Sequence, residues 1–108
     1  FEGCDFLLSP SSPVLAWDQD AQPDFGTNFN APEGVPKEYL ADLFTVGVSL
    51  AGLPAISVPC GFGRGQFARR PIGLQIIGPH FSEQRLLKVA DIFQTETGWH
   101  TIRPSNKA

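Results

Sequence analysis

Residues 39–63 read YLADLFTVGVSLAGLPAISVPCGFG, and this stretch decides the fold because it is almost entirely apolar. Its one charge is Asp42, and the uncharged run at residues 43–63 is long enough for a transmembrane helix. Glycines and serines interrupt that run, and Pro54 and Pro59 would leave backbone groups unsatisfied in lipid. The stretch therefore predicts a buried helix, a Gly-Leu-Pro turn and an interior strand rather than a membrane span.

The elements outside this stretch follow from hydrophobic periodicity and from residues that start or stop helices and strands. An apolar run at Cys4–Leu8 predicts a short buried strand, and the Asp-, Asn-, Gly- and Pro-rich segment Asp18–Pro36 predicts a long surface loop. The other predicted elements are a helix from near Lys37 through Asp42 to about Leu50, ending at Gly52; a strand at Ala55–Cys60, whose Pro59 favours an edge or strand-end position; a strand at Ile72–Ile76; a helix capped by Ser82 and stopped at Gly98; and a tail at Trp99–Ala108. This order indicates an α/β architecture.

Composition narrows the classes of function. Eight Lys and Arg against eleven Asp and Glu give a formal charge of -3, and no basic cluster is present, which argues against direct capture of nucleic acid by this segment. Cys4 and Cys60 match no disulfide scaffold or zinc pattern and are predicted to be buried free thiols. His80 and His100 are isolated, so no metal site is predicted. The chain begins with Phe1 and contains no Met, which we interpret as a piece of a longer polypeptide.

Familiar catalytic motifs are missing from the sequence. It contains no Gly-x-Ser-x-Gly elbow and no dinucleotide-binding fingerprint. Gly61-Phe-Gly-Arg-Gly65 spaces its glycines like part of a phosphate loop, but no helix opens after it, so a tight turn is the better interpretation. Ser57 and Cys60 lack a base at predictable spacing, and Ser57 is expected to face away from the apolar side of its strand. Ser9, Ser11 and Ser12 are interpreted as turn formers.

Asp42 is the one residue whose placement suggests chemistry. A carboxylate among apolar groups needs a cationic partner, because an unpaired buried carboxylate tends to protonate. Three roles fit: a structural ion pair, a charge near the start of its helix, or an anion in the wall of a binding cavity that holds a ligand's ammonium group. The residues alone leave all three open.

Several blocks of the sequence together resemble the amidase-signature enzymes. The blocks are Asp5–Pro13, Tyr39–Asp42, Leu50–Gly61, Pro71–Gly78, Thr97–His100 and Arg103-Pro104, and the similarity is weakest across Asp18–Pro36. Within the family they are most similar to the glutaminase subunits of tRNA-dependent amidotransferases. One departure is Gly47-Val-Ser49, where the family usually has Pro-x-Asn.

The resemblance implies a fold, a reaction and a set of partners. The fold is a mixed β-sheet between layers of helices, of which residues 1–108 form the C-terminal fragment of a single domain with a surface loop near 18–36. The chemistry is amide hydrolysis by a Ser–cis-Ser–Lys arrangement, and no residue here matches a position of that triad. In the glutaminase subunits the substrate is glutamine. These subunits form a complex with B and C subunits, and the ammonia passes to a partner subunit of that complex. The partner subunit uses ATP and Mg to act on misacylated tRNA in the bacterial cytoplasm, with similar complexes in mitochondria and plastids.

The resemblance also assigns a role to Asp42. The Asp of the family's Tyr-x-x-Asp helix contacts the amino group of bound glutamine, and Tyr39-Leu-Ala-Asp42 matches that motif. Asp42 is therefore expected to bind substrate, while the isolated fragment is expected to be inactive. Two alternatives stay open: a stand-alone amidase-signature hydrolase, and a non-catalytic scaffold or subunit-interaction fragment.

Overall fold

The computed structural model of the chain describes residues 1–21 and 36–105. Most of the predicted loop at Asp18–Pro36, and the last three residues of the predicted tail, lie outside these ranges. The described elements, in chain order, are β1 (Leu7–Pro10), a 3-10 helix (Lys37–Asp42), α1 (Val46–Leu50), β2 (Ala55–Phe62), a 3-10 turn (Gly65–Phe67), β3 (Pro71–Ile77), α2 (Glu83–Thr97) and a 3-10 turn (Trp99–Thr101).

The three described strands form one antiparallel sheet in the order β1-β3-β2. Its centre is β3, where Gln75 lies opposite Ser9 of β1 and Ser57 of β2. Strand β2 is an edge of this described sheet, which confirms the position predicted from Pro59, and its register shifts between Pro59 and Gly61. A proline is tolerated there because an edge strand does not need every N–H in a ladder.

Helix α2 covers one face of the sheet and builds the core. Val58 and Ile76 from the strands meet Leu86 and Ala90 from the helix, and all four are at least 95% buried. The predicted helix is confirmed, including its C-terminal stop: Gly98 adopts a left-handed conformation with φ 68°. Glycine accepts this conformation without the steric penalty that a Cβ would bring.

Ser82 occupies the predicted N-cap position of α2, but its side chain does not cap the helix. Ser82 does precede the helix, but its hydroxyl donates to the Pro79 carbonyl at 2.7 Å and caps no helical N–H. Ser82 is buried, and its hydroxyl satisfies the turn that leads into the helix instead.

The helix predicted from Lys37 to Leu50 is two short helices. The first is a 3-10 helix that ends at Asp42, and α1 begins only at Val46. The division falls at residues 43–45, where the Asp42 carbonyl accepts the N–H and the hydroxyl of Thr45 in a local turn instead of continuing the helical hydrogen bonds. The segment is also not buried by the described residues, since Leu43, Val46 and Leu50 are 48%, 50% and 84% exposed.

Two predictions about burial near the N-terminus are also wrong. Strand β1 begins at Leu7 rather than Cys4, and Leu7 and Leu8 are 47% and 66% exposed, because their side chains point out of the sheet and the described residues cover them only in part. Both cysteines are free, as predicted, but Cys4 is exposed and only Cys60 is partly buried. Among the helices of the described residues, none has the length and apolar character that a bilayer crossing requires.

The exposed apolar side chains lead to a prediction about the isolated chain. Tyr39, Leu50 and Phe81 are 70%, 84% and 96% exposed, and large apolar side chains in contact with water favour association. We expect pure residues 1–108 to self-associate, and analytical ultracentrifugation measures this directly. The double variant Leu50→Lys, Phe81→Lys should shift the distribution toward monomer. A wild-type chain that stays monomeric at tens of micromolar would contradict the prediction.

Candidate functional site

Asp42 lies at the end of the 3-10 helix and is exposed. Its backbone carbonyl accepts hydrogen bonds from the N–H of Thr45 at 3.0 Å and from the Thr45 hydroxyl at 3.2 Å. These two bonds close a turn that joins the 3-10 helix to α1. Among the side chains that the structure describes, Asp42 makes no salt bridge through its carboxylate. Of the three roles left open by the sequence, a structural ion pair with a described side chain is therefore excluded.

A polar surface occupies the face of the sheet opposite α2. Ser9, Gln75 and Ser57 lie side by side across β1, β3 and β2. The hydroxyls of Ser11 and Ser57 are hydrogen-bonded to each other, and Gly73 lies against both side chains. We call these five residues the polar face. Ser57 is on the side of its strand away from the core, as predicted. Ser9 and Ser11 were predicted to be turn formers, but both belong to the polar face.

Gln75 connects the polar face to the segment that carries Asp42. Its side chain is 5% exposed, and its Nε2 donates to the Ser9 hydroxyl at 2.8 Å and to the backbone carbonyl of Phe44 at 2.9 Å. Both N–H bonds of the amide are used, so the buried group is satisfied. Sequence reasoning missed this residue: alternation of Ile72, Leu74 and Ile76 predicts the strand, while the partner of Gln75 is 31 residues away.

Two of the cavities in the described part of the chain have linings that do not include Asp42. One, of about 420 Å³, lies between Pro13–Trp17 and the Gln66–Arg70 region, where Arg70 pairs with Asp18 at 3.0 Å. The other, of about 450 Å³, lies beside the edge-to-face pair of Phe62 and Trp99, whose ring centroids are 6.0 Å apart. The exposed Asp42 therefore lies outside both of these cavities.

Comparison with known proteins assigns the class. The family model described as Amidase matches residues 1–87, and the chain belongs to the Amidase family. It is 50% identical over 105 residues to the A subunits of glutamyl-tRNA(Gln) amidotransferase from Burkholderia mallei (strain SAVP1), Burkholderia pseudomallei (strain 668) and Burkholderia thailandensis. Each alignment covers 97% of this chain and 19% of the relative, so the chain spans less than a fifth of the length of these curated relatives.

Family membership and the described geometry agree on the general architecture. The small antiparallel sheet with its helices is consistent with a domain that mixes α and β structure. Among the described residues, no group of three or more His, Cys, Asp or Glu side chains is arranged to hold a metal ion.

Proposed function

We propose that this chain is the C-terminal part of the glutaminase subunit of a tRNA-dependent amidotransferase. The observation that carries the proposal is the 50% identity, over nearly all of this chain, to proteins named as the A subunits of glutamyl-tRNA(Gln) amidotransferases. In this proposal the glutaminase hydrolyses glutamine, and the ammonia converts Glu-tRNA(Gln) to Gln-tRNA(Gln), or Asp-tRNA(Asn) to Asn-tRNA(Asn).

The remaining parts of the reaction belong to other residues and other subunits. The Ser–cis-Ser–Lys triad lies outside these 108 residues, so the isolated chain is inactive and supplies substrate recognition and scaffold. B and C subunits complete the complex, ATP and Mg act in the partner subunit, and tRNA contacts the complex rather than this segment. The complex works in the bacterial cytoplasm.

Asp42 is the residue of this chain that binds substrate in the proposal. Its carboxylate accepts charge-assisted hydrogen bonds from the α-ammonium group of glutamine, the stronger class of hydrogen bond in proteins. The exposed position of Asp42 supports this role, since an exposed carboxylate is available to a ligand. Such a contact favours a free amino acid over a neutral amide, because a site built for a charged group discriminates strongly against its absence.

The test uses the full-length protein in its complex and two amides. Glutamine carries the α-ammonium group, and glutaramate is the same amide without it. Asp42→Asn should lower kcat/KM for glutamine about ten-fold or more, equivalent to about 1.4 kcal/mol, and change kcat/KM for glutaramate by less than about two-fold. Steady-state ammonia release measures both values.

The matched control lies on the same 3-10 helix. Glu38 is an exposed carboxylate four residues earlier, and Glu38→Gln removes the same charge without touching the proposed contact. Glu38→Gln should leave kcat/KM unchanged for both glutamine and glutaramate. Equal losses for glutamine and glutaramate in Asp42→Asn, or no loss for either, would refute the substrate role. A full-length wild type that hydrolyses glutaramate as well as glutamine would instead favour a stand-alone amide hydrolase.

A further inference from the structure

Gln75 is the buried polar side chain that joins the sheet to the Asp42 segment. It lies at the middle of β3, the central described strand, and is held between Ser9 on one side and the Phe44 carbonyl on the other. A carbonyl oxygen can only accept, so the contact with Phe44 requires the amide nitrogen of Gln75 to face it. The orientation of the side chain is thus set by its partners.

The Phe44 carbonyl, which accepts this hydrogen bond, lies in the turn between two helices. It lies between the end of the 3-10 helix at Asp42 and the start of α1 at Val46. The next carbonyl, that of Thr45, already accepts the Ser49 N–H as helical bonding begins. Gln75 therefore holds the backbone at the point where the chain changes from one helix to the next.

The Asp42 segment has little else to hold it to the sheet by polar contacts. Over residues 38–50, the bond from Gln75 is the one side-chain hydrogen bond to a strand among the side chains that the structure describes. Leu43 and Val46, on either side of Phe44, are about half exposed and add limited burial. The turn formed by Asp42 and Thr45 then transmits the position of Phe44 to Asp42 over two residues.

From this geometry we infer that Gln75 is a positioning residue for Asp42, setting the specificity of the site for an amide that carries an α-ammonium group. The inference rests on the proposed function. Gln75 touches no substrate; it holds the Phe44 carbonyl, and through the Asp42–Thr45 turn it fixes where the carboxylate stands relative to the sheet. Loss of the Gln75 N–H bonds releases that segment, so the contact with the ammonium group weakens while amide hydrolysis itself is spared.

The experiment compares glutamine and glutaramate in the full-length complex. Gln75→Met has nearly the same length and no N–H, and should lower the ratio of kcat/KM for glutamine to kcat/KM for glutaramate about five-fold, mainly through a higher KM for glutamine. Ser9→Ala removes the other partner of Gln75 but leaves the bond to Phe44, and should keep the ratio within about two-fold of wild type. If Gln75 had a purely structural role, Gln75→Met would lower kcat/KM for both amides by the same factor.

A double-mutant cycle separates this inference from the function on which it rests. If Gln75 acts through Asp42, Gln75→Met in an Asp42→Asn background should change the ratio by less than about two-fold. Should Gln75→Met not fold, Gln75→Asn keeps an amide that is one methylene too short to span both partners, and the same loss is expected. A wild-type ratio in a folded Gln75 variant overturns the positioning role and leaves Asp42 intact; an unchanged ratio in Asp42→Asn overturns both.

Discussion

Leu86→Ala should destabilise the sheet–helix unit by about 3 kcal/mol, within the range of about 2–5 kcal/mol typical of buried leucines. Leu86 is 3% exposed and packs with Val58, Ile76 and Ala90 where α2 crosses the sheet. Truncation removes apolar surface and leaves a cavity that closely packed neighbours cannot fill. The substitution weakens the contact that holds α2 against the strand that carries Gln75.

Native-state hydrogen exchange of the full-length protein measures this effect locally. Peptides from β3 and α2 should exchange roughly a hundred-fold faster in the variant, since each 1.4 kcal/mol is a factor of ten. Leu87→Ala is the matched control, because the same substitution one residue later removes a side chain that is 63% exposed. It should stay within about 0.5 kcal/mol of wild type. Similar effects at both positions would contradict the assignment of Leu86 to the core.

Gly73→Ala should destabilise the sheet by about 2 kcal/mol, as overpacking of a filled site commonly does. A Cβ built on Gly73 would lie 2.7 Å from the Ser11 hydroxyl oxygen and 2.9 Å from that of Ser57. It would also lie 2.9 Å from the Ser11 Cβ, which cannot rotate away. The substitution forces apart the two serines that hydrogen-bond across the polar face, next to Gln75 in β3.

The control for this prediction is the same substitution in an open position. Gly47 lies in α1, and a Cβ added there would have no neighbouring atom within 4 Å, so Gly47→Ala should be stabilising by about 0.5–1 kcal/mol. In a Gly73→Ala, Ser11→Gly double variant the two nearest contacts disappear, and about half of the loss should return. The urea dependence of amide hydrogen exchange in β3 measures the change in stability of Gly73→Ala, of Gly47→Ala and of the double variant. No loss in Gly73→Ala would mean that the serine pair moves freely.

The helices and strands that are marked by residue spacing within a few positions were predictable from the sequence alone. The spacing of Leu86, Val89, Ala90 and Phe93 marks the buried side of α2, and Gly98 supplies the left-handed stop that ends it. Alternation likewise predicted strand β3, and Pro59 predicted an edge or strand-end position in β2; the central position of β3 was not predicted. These signals depend on neighbours within four residues, so the sequence carries them without knowledge of the tertiary structure.

The split between the 3-10 helix and α1 was not predicted, and its cause is partly tertiary. The apolar pattern from Tyr39 to Leu50 is continuous, which favours one helix. At the break, Thr45 bonds locally to the Asp42 carbonyl, and the Phe44 carbonyl accepts a hydrogen bond from Gln75, 31 residues away. Local periodicity contains no information about a donor on another strand.

What the sequence by itself determined was the α/β class, an edge or strand-end position for Pro59, the helix between Ser82 and Gly98, and Asp42 as the one charge in the apolar stretch. Each of these follows from residue type and short-range spacing. Only the tertiary structure decided that Asp42 lies exposed at a helix end and that Gln75 anchors the backbone two residues beyond it. The physical reason is that a buried amide must satisfy both of its N–H bonds, and the acceptors it finds depend on which distant segments the sheet brings beside it.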